Sequence, residues 1–368
     1  MSAAITVIIV ISIIAPVILA VCQLVFERTN ENIGRAIVET GIALVLTAIP
    51  SGLEIYAGLF SAVLGVKVPI LCTTSEAMMY VCMAIGLVLI VFGYIIIVKM
   101  KSPVYVLNMV GHSKREIGTE KNEKSLKIAD YKIKEQVIDI IPIFDNGRKI
   151  DKRANEYIIH QIERDVQRFS DRTDGNTSCF TGMAPIPYTI LAGTYLSNAN
   201  VVRYFEFDRY HSESYYELTK NKFFDKAWPA LEEVGDESKT DDDEVVLSIS
   251  VSHKVLDGDL KCFGNKPVVH LSVPKPADNL IRYTDQLLTY KNVIYRYVDS
   301  ELKERYKNLK KIHLAASIPS CLSLEIGKSF GAGSNRIPPI VAYHYISSAD
   351  SKYIFGIFVS GENKGKLS

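Results

Sequence analysis

The chain has 368 residues, enough for two or three domains, with 42 basic and 41 acidic side chains and a formal net charge of +1. Such near-neutrality excludes a broad electrostatic surface for DNA or RNA and is compatible with a small anion held by local groups. The charge is uneven: residues 1–100 carry only Arg28, Arg35, Lys67 and Lys99 against Glu27, Glu31, Glu39, Glu54 and Glu76.

Ala4–Phe26 is 23 residues without a charge, and Ala77–Val98 is 22. Both exceed the roughly 20 residues a helix needs to cross a bilayer, so both read as membrane spans. The first six residues lack the basic start of a signal peptide. Leu19-Ala20-Val21-Cys22 resembles a lipoprotein cleavage site, but Val21 stands where a small residue is needed, so the first segment is taken as a retained span. Between them, Ala36–Val66 is apolar but interrupted by Glu39, Pro50 and Glu54. Each half is too short to span, and one helix kinked near Pro50 is the better reading. The expected spans are therefore about 4–26, 38–65 and 77–98. Arg28 and Arg35 lie in the first loop and Lys99 and Lys101 follow the last span, so the positive-inside rule puts residues 100–368 in the cytosol.

Glu54 shares a helical stripe with Ala57, Gly58, Ser61 and Gly65. Small residues on one face let helices pack closely in lipid, so Glu54, Ala57, Ser61 and Gly65 are candidates for self-association within the membrane. An acid inside a span points to function; the alternative is that Glu54 sits near the headgroups or pairs with a base.

Lys99–Lys134 is rich in Lys, Glu, Ser and Gly and reads as a connector (101–134), with a short strand at Val104–Val110. From there the pattern alternates. A strand is expected at Val137–Phe144, then an amphipathic helix over Asp151–Phe169 with Ile158, Ile159, Ile162, Val166 and Phe169 on one face. The strand Thr177–Met183, the helix Tyr188–Leu196 and the strand Asn200–Phe207 follow. The acidic run Glu232–Glu244 reads as a solvated linker between halves at 135–240 and 241–368. Strands resume at Val245–Val251 and Pro267–Val273, with a largely helical Ala277–Lys307 after them. A strand through His313 leads to a helix at Ser320–Lys328, and strands at Pro339–Ile346 and Lys352–Val359 close the chain. This alternation predicts a parallel α/β fold.

Two stretches share one shape. Phe180–Gly193 (F-T-G-M-A-P-I-P-Y-T-I-L-A-G) and His313–Gly327 (H-L-A-A-S-I-P-S-C-L-S-L-E-I-G) each read as strand, turn and helix, with a Pro followed eight residues later by a Gly. A repeated unit predicts two similar half-domains whose turns meet over one site. Helix amino ends at the carboxyl edge of a sheet favour anions, so a ligand with more than one phosphate would suit it. The competing reading is two ordinary α/β turns with a coincidental spacing.

A catalytic constellation is missing from the sequence. The six Cys contain no C-x-x-C pair, three lie in the membrane part, and neither a zinc site nor a disulfide framework is supported. Phosphate-loop, nucleophile-elbow and H-E-x-x-H signatures are absent, and G331-A-G-S-N-R follows a helix rather than a strand. Cys321 begins a helix, which could lower its pKa, but packing is the simpler role. His253 follows a strand end and either faces a ligand or sits on the surface. No metal and no cofactor is expected, and a ligand sensor acting on the membrane fits better than an enzyme.

The motifs C-F-T-G-M-A-P-I-P-Y-T-I-L-A-G at 179–193, L-S-I-S-V-S at 247–252 and I-H-L-A-A-S-I-P-S-C-L-S-L-E-I-G-K at 312–328 resemble the SAVED domain over roughly 135–360. The resemblance implies two fused Rossmann-like, CARF-like halves that bind a cyclic di- or trinucleotide in bacterial antiphage CBASS systems. With spans in front, the chain resembles a transmembrane SAVED effector of the inner membrane that self-associates on activation and damages the bilayer. The nuclease that usually accompanies SAVED is absent, which leaves the output open. Carried onto this sequence, the ligand pocket takes in Met183, Ala184, Pro185, Ile186 and Pro187, with Ser317, Ile318, Pro319 and Ser320 opposite and Ser252 and His253 completing it. The alternatives are a membrane-tethered phosphodiesterase and a constitutive channel.

Overall fold

A computed structural model describes residues 30–48, 76–99, 103–112, 117, 126, 132–144, 150–173, 177–196, 201–209, 212–220, 227–235, 242–333 and 335–368. The chain divides into two compact units at Ser102/Pro103.

The first unit contains helices α1 (Asn30–Ala48) and α2 (Glu76–Lys99). In α2 the window Tyr80–Ile97 has a mean hydropathy of 2.7 and is long and apolar enough to cross a membrane. Only 11% of that window is buried, and Tyr80, Val88, Phe92 and Tyr94 stand exposed. A core helix of a water-soluble protein would hide these side chains; lipid would cover them. The helices run antiparallel and meet through paired glycines. A Cβ on Gly41 would lie 2.7 Å from the Gly86 carbonyl oxygen, and one on Gly93 would lie 2.8 Å from that of Gly34. Without side chains at these points the backbones touch, as membrane helices commonly do.

Of the three expected spans, one thus stands as an apolar helix of sufficient length. The segment 4–26 and most of 38–65 lie outside the described residues, and with them Glu54, Ala57, Ser61 and Gly65.

The second unit holds two sheets. The first contains β1 (Pro103–Val110), β2 (Lys132–Asp139), β3 (Thr177–Met183), β4 (Val201–Asp208) and β5 (Ser214–Glu217) in the order β2-β1-β3-β4-β5. The second contains β6 (Glu232–Val234), β7 (Glu244–Ser250), β8 (Val268–Ser272), β9 (Lys311–Ser317), β10 (Ile340–Tyr345) and β11 (Tyr353–Phe358) in the order β11-β10-β9-β7-β8-β6. With β6 set aside, the second order repeats the first strand for strand, so the duplication expected from the paired motifs is present in the topology. The helices are α3 (Lys152–Thr173), α4 (Ile186–Tyr195), α5 (Thr284–Arg296) and α6 (Ser320–Ala332).

Three sequence expectations need correction. The sheets are mixed, not wholly parallel: β5 pairs antiparallel with β4, β11 with β10, and β6 with β8. The links β4–β5 and β10–β11 are too short for a crossover helix, so those strands must return alongside their neighbours. The short strand expected at Val104–Val110 is present, but it belongs inside the first sheet and not to a connector. Pro103–Val110 lies between β2 and β3, and Val104, Val106, Leu107 and Met109 on it are buried. Its lack of polar alternation is what a strand covered on both faces requires. Finally, Val137–Phe144 is not one strand. Pairing ends at Asp139, whose Oδ1 accepts the Ile141 N–H at 3.0 Å, and Ile141–Phe144 makes a helical turn in which Pro142 needs no partner.

One hydrophobic core runs through both halves and includes Phe144, Phe180, Tyr188, Leu247, Leu314 and Leu324. Each such side chain contributes roughly 1.5–3 kcal/mol on burial. At its centre α4 packs on α6. A Cβ on Gly193 would overlap the Leu324 carbonyl oxygen, and one on Gly327 would overlap that of Ile190. The shared Pro–Gly spacing therefore has a physical cause: each Pro starts its helix at the sheet edge, and each Gly lets the two helices cross.

Candidate functional site

A cavity of about 710 Å³ opens where the carboxyl ends of β3, β4, β9 and β10 meet the amino ends of α4 and α6. Its two sides are built alike. Pro185 precedes α4 with φ −55°, and Pro319 precedes α6 with φ −69°, each ring presetting the turn from strand to helix. The Pro185 carbonyl accepts the N–H groups of Tyr188 and Thr189 at 3.1 Å, and the Pro319 carbonyl accepts that of Ser323 at 3.0 Å. Beside them the Met183 carbonyl accepts the Gly111 and His112 N–H groups at 3.0 and 3.1 Å. In the other half the Ser317 carbonyl accepts those of Val251 and Ser252 at 3.0 and 2.9 Å.

Ten of the eleven ligand-site candidates line this cavity: Met183, Ala184, Pro185, Ile186, Ser252, His253, Ser317, Ile318, Pro319 and Ser320. Pro187 is instead buried within α4. The Ser317 Oγ accepts the His253 N–H at 3.0 Å, which ties the two second-half turns together. The His253 ring is exposed, with Nε2 3.4 Å from Asp278 Oδ2.

The sequence reading missed residues on the same wall. His112 occupies the place in the first half that Ser252 occupies in the second, as the matched hydrogen bonds show. The matched stretches, Val110-Gly-His and Ser250-Val-Ser, share no residue type, so no local signal marked the equivalence. Arg209 and Lys254 are exposed cations on the wall. Arg209 directly follows β4 and Lys254 lies four residues beyond β7, and nothing in their local pattern distinguishes them from ordinary surface charge.

Glu206 and His344 also face the cavity, and they are structural counterparts. Phe180 on β3 pairs with Tyr204 on β4, and its equivalent Leu314 on β9 pairs with Ala342 on β10; two residues further on stand Glu206 and His344. His344 packs against His112, Phe144 and Phe355, with its ring 6.1 Å from that of His112 and nearly parallel to it. Burial, reinforced by His112, pushes the His344 pKa down to about 3, so the imidazole is neutral. Burial and Arg209 lower His112 as well. Glu206 is nine-tenths buried, and its Oε1 accepts the Cys321 N–H at 2.6 Å. Burial raises its pKa against the opposing pull of Cys321 and Arg209.

Cys321 is fully buried, and burial followed by the charge of Glu206 drives its thiol pKa well above the ordinary value. It packs rather than reacts. Among the described residues no three His, Cys, Asp or Glu side chains converge to hold a metal ion.

Residues 162–359, more than half of the chain, match the model of the SAVED family, the "SMODS-associated and fused to various effectors sensor domain". The chain belongs to the SAVED family. Among solved structures, the chain is similar to the Acinetobacter baumannii Cap4 SAVED/CARF-domain containing receptor. The form with the cyclic trinucleotide 2′3′3′-cAAA is 13% identical, over 85% of this chain and 67% of that one, with a TM-score of 0.46. The form with 3′3′3′-cAAA is 13% identical over 88% and 66%, with a TM-score of 0.47. The chain thus spans about two thirds of the length of Cap4. Among curated proteins, none matches the sequence.

Proposed function

We propose that this chain is a membrane-bound receptor for a cyclic di- or trinucleotide in CBASS-type antiphage defence. Binding in the SAVED cavity drives self-association of the cytosolic units, and the clustered spans permeabilise the bacterial inner membrane. The observation that carries this reading is the 710 Å³ cavity shared by both SAVED halves on a chain that also holds the apolar helix Tyr80–Ile97. The volume lies within the range of small-molecule sites, roughly 300–1,000 Å³. Arg209 and Lys254 supply positive charge for phosphates, and the neutral rings of His112 and His344 offer flat surfaces for bases. The chain's role in this reading is binding, without turnover of the ligand. Clustering makes helix packing intramolecular in effect, so weak contacts between spans suffice once the cytosolic units assemble.

The test is dye release from liposomes that hold the full-length protein, across a panel of cyclic di- and trinucleotides. Release should follow addition of one cyclic nucleotide, and Ser61→Leu with Gly65→Leu should block release while sparing binding. Release without ligand would support a constitutive channel, and consumption of the ligand would support a phosphodiesterase; either result overturns the reading.

A further inference from the structure

The two ends of the cavity follow the same backbone path but differ in charge. A helix amino end presents unpaired N–H groups and a partial positive charge, which suits an anion. At α6 that place is taken by the chain itself. The Glu206 carboxylate, nine-tenths buried, sits on the Cys321 N–H at 2.6 Å and forms part of the cavity wall. At the equivalent position of the other half stands His344, a neutral ring among His112, Phe144 and Phe355. In α4 the residue in the place of Cys321 is Pro187, which has no N–H for a carboxylate to take.

We propose that Glu206 is a specificity-determining plug: it closes the α6 amino end to phosphate, so a bound nucleotide turns its phosphates toward Arg209 and Lys254 and sets a base or sugar against α6. Of the two helix starts, α6 is the one with an N–H at this position to seat a phosphate, and Glu206 already holds it. With that seat filled by a fixed carboxylate, phosphates are left to Arg209 and Lys254. The tie from Glu206 to Cys321 also links β4 of one half to α6 of the other, so the plug is held in place by the fold. The inference rests on the receptor reading for the identity of the ligand, but its test does not.

The probe is inorganic tripolyphosphate, titrated calorimetrically into the full-length protein in detergent. Glu206→Gln keeps an oxygen on the Cys321 N–H and removes the charge. It should bind tripolyphosphate about tenfold more tightly than the unaltered chain, about 1.4 kcal/mol. Glu206→Ala, which frees the N–H altogether, should gain at least as much, and it serves if the Gln variant folds poorly. Asp259→Asn removes another carboxylate from the same wall and should change affinity by less than about twofold. Unchanged affinity in both Glu206 variants would overturn the proposal, as would an equal gain in Asp259→Asn, which would reduce the effect to diffuse charge. Failure of the unaltered protein to bind any cyclic nucleotide, with the tripolyphosphate gain intact, would remove the receptor reading and leave the plug standing.

Discussion

Single residues decide what the cavity admits. Ala184 is nearly buried at the start of α4, and a Cβ on Gly111 would already press on it. Ala184→Glu adds a carboxylate at the turn where the proposed cyclic nucleotide would bring its phosphates. Cyclic-nucleotide affinity, measured by calorimetry, should fall at least thirtyfold, about 2 kcal/mol, with the fold retained; unchanged affinity would show that this turn does not touch the ligand. His344 makes a second prediction. Its folded pKa, about 3, lies below the ordinary 6.5, so the unfolded chain binds the extra proton. Its contribution to stability is complete above pH 6.5 and declines as pH falls from there toward 3, by about 1.4 kcal/mol per unit. Denaturant unfolding of His344→Phe between pH 7 and 5 should show a shallower loss than the unaltered protein. Equal slopes would mean that His344 charges freely in the fold.

At the scale of elements, the crossing of α4 and α6 holds the two halves together. Gly327 faces the Ile190 carbonyl with no room for a Cβ, and Gly193 faces that of Leu324. Gly327→Ala must push the helices apart and should cost about 3 kcal/mol, the upper range for overpacking, by denaturant unfolding. A cost below about 0.5 kcal/mol would show that the crossing yields easily. This contact also explains why the repeat was legible. Pro185 with Gly193 and Pro319 with Gly327 are each demanded by backbone geometry, so the spacing survives in residue types that a reader can see. Glu206 and His344 were not legible as counterparts, because opposite chemistry at equivalent places hides equivalence.

At the scale of the whole molecule, the SAVED unit begins earlier than its alternating pattern suggests. β1 lies between β2 and β3 and contributes Leu107 and Met109, both fully buried, to the core that both halves share. A fragment starting at residue 135 lacks this strand and should not fold. A fragment of residues 103–368 should fold cooperatively, as judged by circular dichroism and a single unfolding transition. A folded 135–368 fragment would mean that β1 is dispensable, contrary to its position in the sheet.

Residue order alone determined the features that rest on local pattern. The 22 uncharged residues of Ala77–Val98 announced a helix long enough for a bilayer, and α2 is that helix. The strand Thr177–Met183 stands at its expected bounds, and the helix expected at Asp151–Phe169 runs over Lys152–Thr173, because their apolar periods are strong. The Pro-led turns announced a two-fold site. Only the tertiary structure decided which strands return antiparallel and where Pro103–Val110 belongs, since pairing depends on partners distant in sequence. It also decided the character of the cavity. Glu206 reaches the Cys321 N–H across 115 positions of chain, and His112 meets His344 from the opposite half. No local signal records such encounters; they exist only because two sheets place their carboxyl ends around one space.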